Sequence, residues 1–207
     1  MAVPVIAGWT SNSSGSSSVT SIALTKPGSV AVGDLLVLLV GNDSNNATSS
    51  WNTLSGWTRI VSAGDDISDA HIGVYWRIAD GTEGATATPT SASSANCYGW
   101  YLRITGVDQT SPINVTGTPK VSTSSSSSHT IDEVTTTVAD CLGIYLLAFD
   151  GGDGDPFSVS GTGWSETDEQ AAGTTSTDGS GCFGQKDIAS AGGSVDAVVT
   201  SSVSDGS

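Results

Sequence analysis

The sequence predicts an all-β protein: a single antiparallel β-sandwich, jelly-roll-like or Greek-key in its wiring, with almost no helix. Three observations carry this. A six-residue phrase recurs as Gly73-Val-Tyr-Trp-Arg-Ile78, Gly99-Trp-Tyr-Leu-Arg-Ile104 and Gly143-Ile-Tyr-Leu-Leu-Ala148. Apolar residues nowhere keep the i, i+3, i+4, i+7 spacing of an amphipathic helix between plausible caps. Short apolar or alternating runs are instead punctuated by Gly, Pro, Asp and Ser, as in sandwiches.

Side chains alternate between the faces of a strand, so Val74, Trp76 and Ile78 share one face and Gly73, Tyr75 and Arg77 the other. The second copy splits in the same way. The expectation is a buried aliphatic face and an outer face that carries the tyrosines, each able to lie over a glycine of a neighbouring strand.

Along the chain, a first strand is expected at Val3–Trp9, a flexible serine-rich loop at 11–18 and a second strand at Val19–Thr25. Lys26-Pro-Gly-Ser29 is a turn. Leu35–Val40 is apolar at every position, the mark of a strand covered on both faces. A polar loop at 41–50 precedes a strand in Gly56–Val61, and an Asp-rich turn follows at 64–69. Ala70–Ala79 carries the first copy of the phrase, and Asp80–Gly84 is a turn. Ala85–Thr90 has the small-residue and threonine alternation of an edge strand. Cys97–Thr105 carries the second copy. A connection from Val107 to Pro119 has room for a short strand at Ile113–Thr116. The run 122–128 reads as a second flexible serine-rich loop. Strands are then expected at Thr130–Val138, Cys141–Phe149 (the third copy), Trp164–Thr167, Cys182–Ile188 and Val195–Val203. The copies are too unevenly spaced for a solenoid or propeller, so residues 1–207 are expected to form one domain.

Composition narrows the function. The 207 residues carry a net charge of −15 with only six Lys and Arg. A nucleic-acid partner requires a basic stripe to neutralise phosphates, and an anionic membrane surface requires basic residues too; both partners are excluded as expectations. The acidity serves solubility, or meets a basic patch or cations. The start of the chain lacks a basic, long-apolar leader, so no signal peptide is expected. Cys97, Cys141 and Cys182 are odd in number and widely spaced, which is neither a disulfide framework nor a zinc pattern. Burial as small hydrophobes is the expectation for Cys97 and Cys141.

Candidate sites are few. Asp150, Asp153 and Asp155 lie on a glycine-rich stretch that suits calcium and equally suits a plain solvated turn. Asp65, Asp66 and Asp69 form a second acidic turn. His71 and His129 stand alone, and no nucleophile elbow, phosphate loop, dinucleotide fingerprint or zinc-protease motif is present. No catalytic residue, metal ligand or cofactor is therefore expected beyond that weak calcium candidate. Of the six tryptophans, alternation turns Trp76 and Trp100 inward. Trp51 and Trp164 sit in polar, loop-rich surroundings and are candidate contact residues, although closing the open end of a sandwich is the commoner use. Arg77 and Arg103 hold equivalent places on their strands. They suit ion pairs or stacking on tyrosine, and also a polar seam between subunits.

Taken in order, Val32-Gly-Asp-Leu-Leu-Val37, Gly56-Trp-Thr-Arg-Ile60, Val74-Tyr-Trp-Arg-Ile-Ala-Asp-Gly-Thr-Glu-Gly84 and Arg103-Ile-Thr-Gly-Val-Asp108 resemble a loose group of tailed-bacteriophage virion proteins. The resemblance covers about Val32 to Asp108 and rests on strand starts, turns and core tryptophans. It implies a β-sandwich of a capsid surface, tail or fibre, with no catalytic residues to carry over. A capsid decoration or cement protein is the first expectation, on the outer surface of the shell, with the major capsid protein and further copies of itself, as a homotrimer, for partners. A tail- or fibre-associated adhesin or carbohydrate-binding module is the alternative. The group leads one to expect a last apolar strand after a segment like Ala197–Asp205, whereas this sequence stops at Gly206-Ser207. The sandwich then closes differently, a neighbouring subunit supplies the edge, or the chain continues.

Overall fold

The computed structural model describes residues 2–44, 50–64, 70–120, 126–151, 156–173, 178–192 and 194–202. Among them there is no helix, and the strands are β1 (Val5–Ser21), β2 (Leu24–Thr25), β3 (Leu35–Asp43), β4 (Thr58–Gly64), β5 (Ala70–Ile78), β6 (Thr86–Ala87), β7 (Thr90–Thr105), β8 (Ser128–Thr135), β9 (Cys141–Asp150), β10 (Ser158–Ser160), β11 (Ser165–Ala172), β12 (Gly179–Ile188) and β13 (Ser194–Thr200). Every pairing is antiparallel. The protein is all-β, as its periodicity predicts.

A five-stranded sheet in the order β1-β7-β3-β5-β4 faces a three-stranded sheet in the order β11-β12-β9. Their apposed faces share one core, in which Leu35, Val37, Leu39, Trp100, Leu102 and Ile104 meet Ala172 and Phe183. A second three-stranded sheet, β10-β13-β8, covers the far side of β11-β12-β9 through Phe157 and Val199 against Tyr145, Phe149 and Cys182. Only β4–β5 and β11–β12 are neighbours both in sequence and in a sheet; the other pairings need crossovers.

Leu35–Asp43 is buried at all nine positions because it is the central strand of the large sheet and both its faces are covered. The first two copies of the phrase flank it in matching register. Gly73 and Gly99 both stand opposite Val40, Tyr75 and Tyr101 opposite Leu38, and Arg77 and Arg103 opposite Leu36. The third copy lies in the other layer of the sandwich, on β9.

Trp100, Leu102 and Ile104 of the second copy are buried as expected, but the face that carries the tyrosines is not an outer one. Tyr75, Tyr101 and Tyr145 are only 0%, 1% and 3% exposed. Over Tyr75 and Tyr101 lies a further core, in which Ile22, Leu24, Trp51 and Ala87 close on Leu36, Leu38 and Val40. Val74, Trp76 and Ile78, expected to be buried, keep part of their surface in solvent. Alternation tells which residues share a face; it does not tell which face another element will cover. The expected stacking of tyrosine on glycine holds at Tyr145, whose direct partner is Gly184. A Cβ at Gly184 would overlap the Tyr145 ring. Tyr98 sits over Gly41 in the same way, while Tyr75 and Tyr101 face Leu38 instead.

Several boundaries also move. The serine-rich stretch 11–18 is strand, not loop: Ser11, Asn12 and Ser13 pair with Trp100, Gly99 and Tyr98. The register breaks between Ser13 and Ser18, where Gly15 takes a φ of 57°. Serine is a poor strand former on average, but pairing with the long β7 overrides that preference. The edge strand expected at Ala85–Thr90 shrinks to β6, since Thr90 already opens β7, and 113–116 forms no strand. The short β10 was not expected. Cys97 lies within β7 rather than at its start. Residues 65–69, most of the 122–128 run and Gly206-Ser207 lie outside the described residues.

Candidate functional site

The two arginines of the phrase do not point at an open surface. Arg103 Nε donates to Asp34 Oδ2 at 2.6 Å, and the same oxygen accepts the Ala31 N–H at 2.8 Å. Arg77 Nη2 lies 2.9 Å from Asp80 Oδ1 and 3.3 Å from Glu83 Oε1. Glu83 in turn accepts the backbone N–H groups of Asp80 and Gly81, and Asp80 accepts the backbone N–H and the hydroxyl of Thr82. Each arginine therefore ties a turn to its strand through a charge-assisted bond. This is the ion-pair use anticipated for them.

Trp51, a candidate contact residue, is 0% exposed and belongs to the core over Tyr75, in keeping with the commoner, covering use. Its carbonyl accepts from Arg59, and its ring fills the space a side chain at Gly73 would need. The sequence misled because Trp51 alone turns inward between exposed neighbours, Ser50 and Asn52, and forms a bridge with Ser91. Trp164 is half-buried. Its ring meets Tyr145 edge-on at 5.4 Å, and the Lys186 ammonium lies 5.9 Å from its centroid. Trp76 is partly exposed and Trp100 is buried.

One acidic strand escaped notice in the sequence. On β11, Asp168 Oδ2 accepts both indole N–H groups of Trp9 (3.2 Å) and Trp100 (2.9 Å). A bulge between Glu166 and Asp168 interrupts the alternation. Glu169 Oε2 accepts the Phe157 N–H at 3.0 Å, which links β11 to the segment leading into β10. Glu166, desolvated and beside Glu169 and Asp168, is pushed up to about 7. The run Ser165-Glu-Thr-Asp-Glu169 was the visible signal.

A cleft of about 1150 Å³ opens between β5 of the large sheet and β9 of the facing one. Val37, Ile72 and Val74 line one wall, Leu142, Ile144 and Leu146 the other. Val115 and Val138, at its rim, are 40% and 52% exposed. Asn114 and Thr137 exchange two hydrogen bonds there, at 2.7 and 2.9 Å, and fasten the 107–120 connection beside it. Nothing in the sequence separated these strands from ordinary core strands.

Of the calcium candidate, Asp150 ends β9, while Asp153 and Asp155 lie outside the described residues. Among the described residues, no group of three or more His, Cys, Asp or Glu is placed to hold a metal ion. Cys97, Cys141 and Cys182 are free thiols; Cys97 is buried as expected, whereas Cys141, expected to be buried, is only partly covered because it opens β9 next to the exposed Val138. Burial pushes Cys97 up to about 12 and raises Cys182 and Cys141 as well, the opposite of what a thiolate nucleophile needs. His71 is buried with Nε2 3.3 Å from the Ser44 carbonyl, and His129 packs edge-on against Phe149.

No protein-family model matches the chain, and neither a curated protein nor a solved structure does.

Proposed function

We propose that this chain is a non-enzymatic structural protein of a bacteriophage virion, a decoration or cement protein that lies on the outside of the capsid and bridges capsomers. The observation that carries the reading is how the chain uses its chemically capable side chains. The arginines hold turns, Asp168 and Glu169 anchor indoles and a strand entry, and burial holds the Cys97 and Cys182 thiols protonated. Layers fastened in this way suit a rigid exterior module. The net charge of −15 suits docking on basic patches of a shell. The partners are the major capsid protein and further copies of this chain, as a homotrimer assembled in the bacterial cytoplasm; nucleic acid and membrane are not partners in this reading.

The test is cryo-electron microscopy of the particle that contains the protein. Many symmetry-related copies on the shell exterior support decoration, while a few copies confined to the tail overturn it.

The partial exposure of Trp164 favours a second reading, a carbohydrate-binding module of a tail or fibre. Under it, an oligosaccharide quenches tryptophan emission and Trp164→Ala abolishes the response. A decoration protein shows no such quenching and saturates shells stoichiometrically.

A further inference from the structure

The two layers of the sandwich do not match in width. β11 packs over β1 and β7, β12 over β7 and β3, and β9 over β3 and β5. At a strand spacing of about 4.8 Å, a three-stranded layer falls about 10 Å short of a five-stranded one. The shortfall lies beyond β9, beneath β5 and β4, and the cleft occupies it.

Among the described residues β9 pairs on one side only, with β12. Every residue from Val138 to Ala148 borders the cleft, although successive side chains point to opposite faces. A cleft that meets both faces of a strand runs along that strand's edge, where backbone donors and acceptors stand in a row. The walls that β5 and β9 give the cleft are aliphatic, with Ile72, Val74, Leu142, Ile144 and Leu146 all keeping part of their surface exposed. Polar residues such as Asn114, Thr116, His129 and Thr130 close its remaining side. At about 1150 Å³ it exceeds the pockets of about 300–1,000 Å³ that hold small ligands.

We propose that the cleft is the acceptor for an extended strand of another protein, which pairs with the edge of β9 that no described strand occupies and becomes the fourth strand of that layer. Main-chain hydrogen bonds supply affinity, and alternate small apolar side chains fill the space between Val74 and Ile144. Charge sets the flanks of the incoming segment. The cleft is bordered by Asp108 and Asp140 against one lysine, Lys120, on a chain of net charge −15, so the donor carries Lys or Arg at its ends. An acyl chain would fill the apolar space but leave the β9 edge unpaired and place a negative head beside carboxylates. The inference does not depend on the virion reading.

The probe is a decapeptide of alternating valine and threonine with a lysine at each end, read by residue-resolved hydrogen exchange. At a concentration ten times its dissociation constant, the edge-facing amides of β9 should exchange about tenfold more slowly. A peptide N-methylated at alternate residues should have no effect. Ile144→Trp, which fills the cleft, should weaken binding at least tenfold; Leu146→Trp serves if the first variant melts early. The proposal is overturned if about 1 mM peptide leaves β9 exchange unchanged. Equal protection by the N-methylated peptide or by dodecanoate overturns it in favour of an apolar ligand. Edge amides already protected without peptide overturn it in favour of the chain's own 107–120 connection if the protein sediments as a monomer, or of a second copy if it sediments as a dimer.

Discussion

Arg77 and Arg103 stand opposite the same residue, Leu36, one on each side of β3, yet they serve different turns. Arg103 holds Asp34, at the entry to β3, and Arg77 holds Asp80 and Glu83, just beyond the end of β5. The side chains of Arg103 and Asp34 are 18% and 11% exposed, so solvent screens the pair little. Replacing Arg103 by Met should cost about 1.5–3 kcal/mol, the worth of a charged hydrogen bond. A double-mutant cycle with Asp34→Asn, measured by urea unfolding, should return a coupling of the same sign. Additive single effects would show that the pair is incidental.

Trp51 and Trp164 separate core from surface. Trp51 is fully buried, so Trp51→Ala should cost about 3–5 kcal/mol. Trp164 is partly exposed, and Trp164→Ala should cost about 1 kcal/mol. Chemical denaturation of the two variants checks the order; similar small losses would return Trp51 to the surface.

How far the sequence reaches is clear from particular residues. The strand Leu35–Val40 and all three copies of the phrase were legible because period-2 alternation and unbroken apolar runs are local signals. The burial of Tyr75 and Tyr101 was not legible, because it depends on Ile22, Leu24 and Trp51 arriving from elsewhere in the chain. The serine-rich stretch 11–18 reads as loop because propensity is local while the edge of β7 is not. The ion pairs of Arg77 and Arg103 were among the readings of the phrase. The cleft was invisible, since a strand next to a void has the same pattern as one next to a partner.

The contact of Tyr145 with Gly184 yields a packing test. A methyl at Gly184 would overlap the Tyr145 ring and crowd the Ser165 carbonyl, so Gly184→Ala should cost about 1–3 kcal/mol by overpacking. Gly8 in β1 has open space where its Cβ would lie, so Gly8→Ala should be neutral or stabilise by about 0.5–1 kcal/mol through lost backbone freedom. Thermal melts of both variants make the comparison. A harmless Gly184→Ala would mean that both the Tyr145 ring and the β11 backbone at Ser165 yield readily.

Glu166 gives the chain a specific pH response. Its pKa is raised from 4.5 to about 7, first by desolvation and then by Glu169 and Asp168. Its neighbours are better served, since Asp168 accepts two indoles and Glu169 a backbone N–H. Between the unfolded and folded values the native chain holds a proton that the unfolded chain has lost. The native state is therefore favoured at this site below about pH 4.5, and the advantage fades as pH rises through about 7. Glu166→Gln is uncharged at every pH and removes this term while leaving the other carboxylates in place. The difference in urea midpoint between Glu166→Gln and the native chain should be small at pH 4.5, grow in favour of the variant up to about pH 8, and level off there. A difference that stays constant across this range would mean that Glu166 titrates like an exposed glutamate, and that the carboxylates of β11 are open to water.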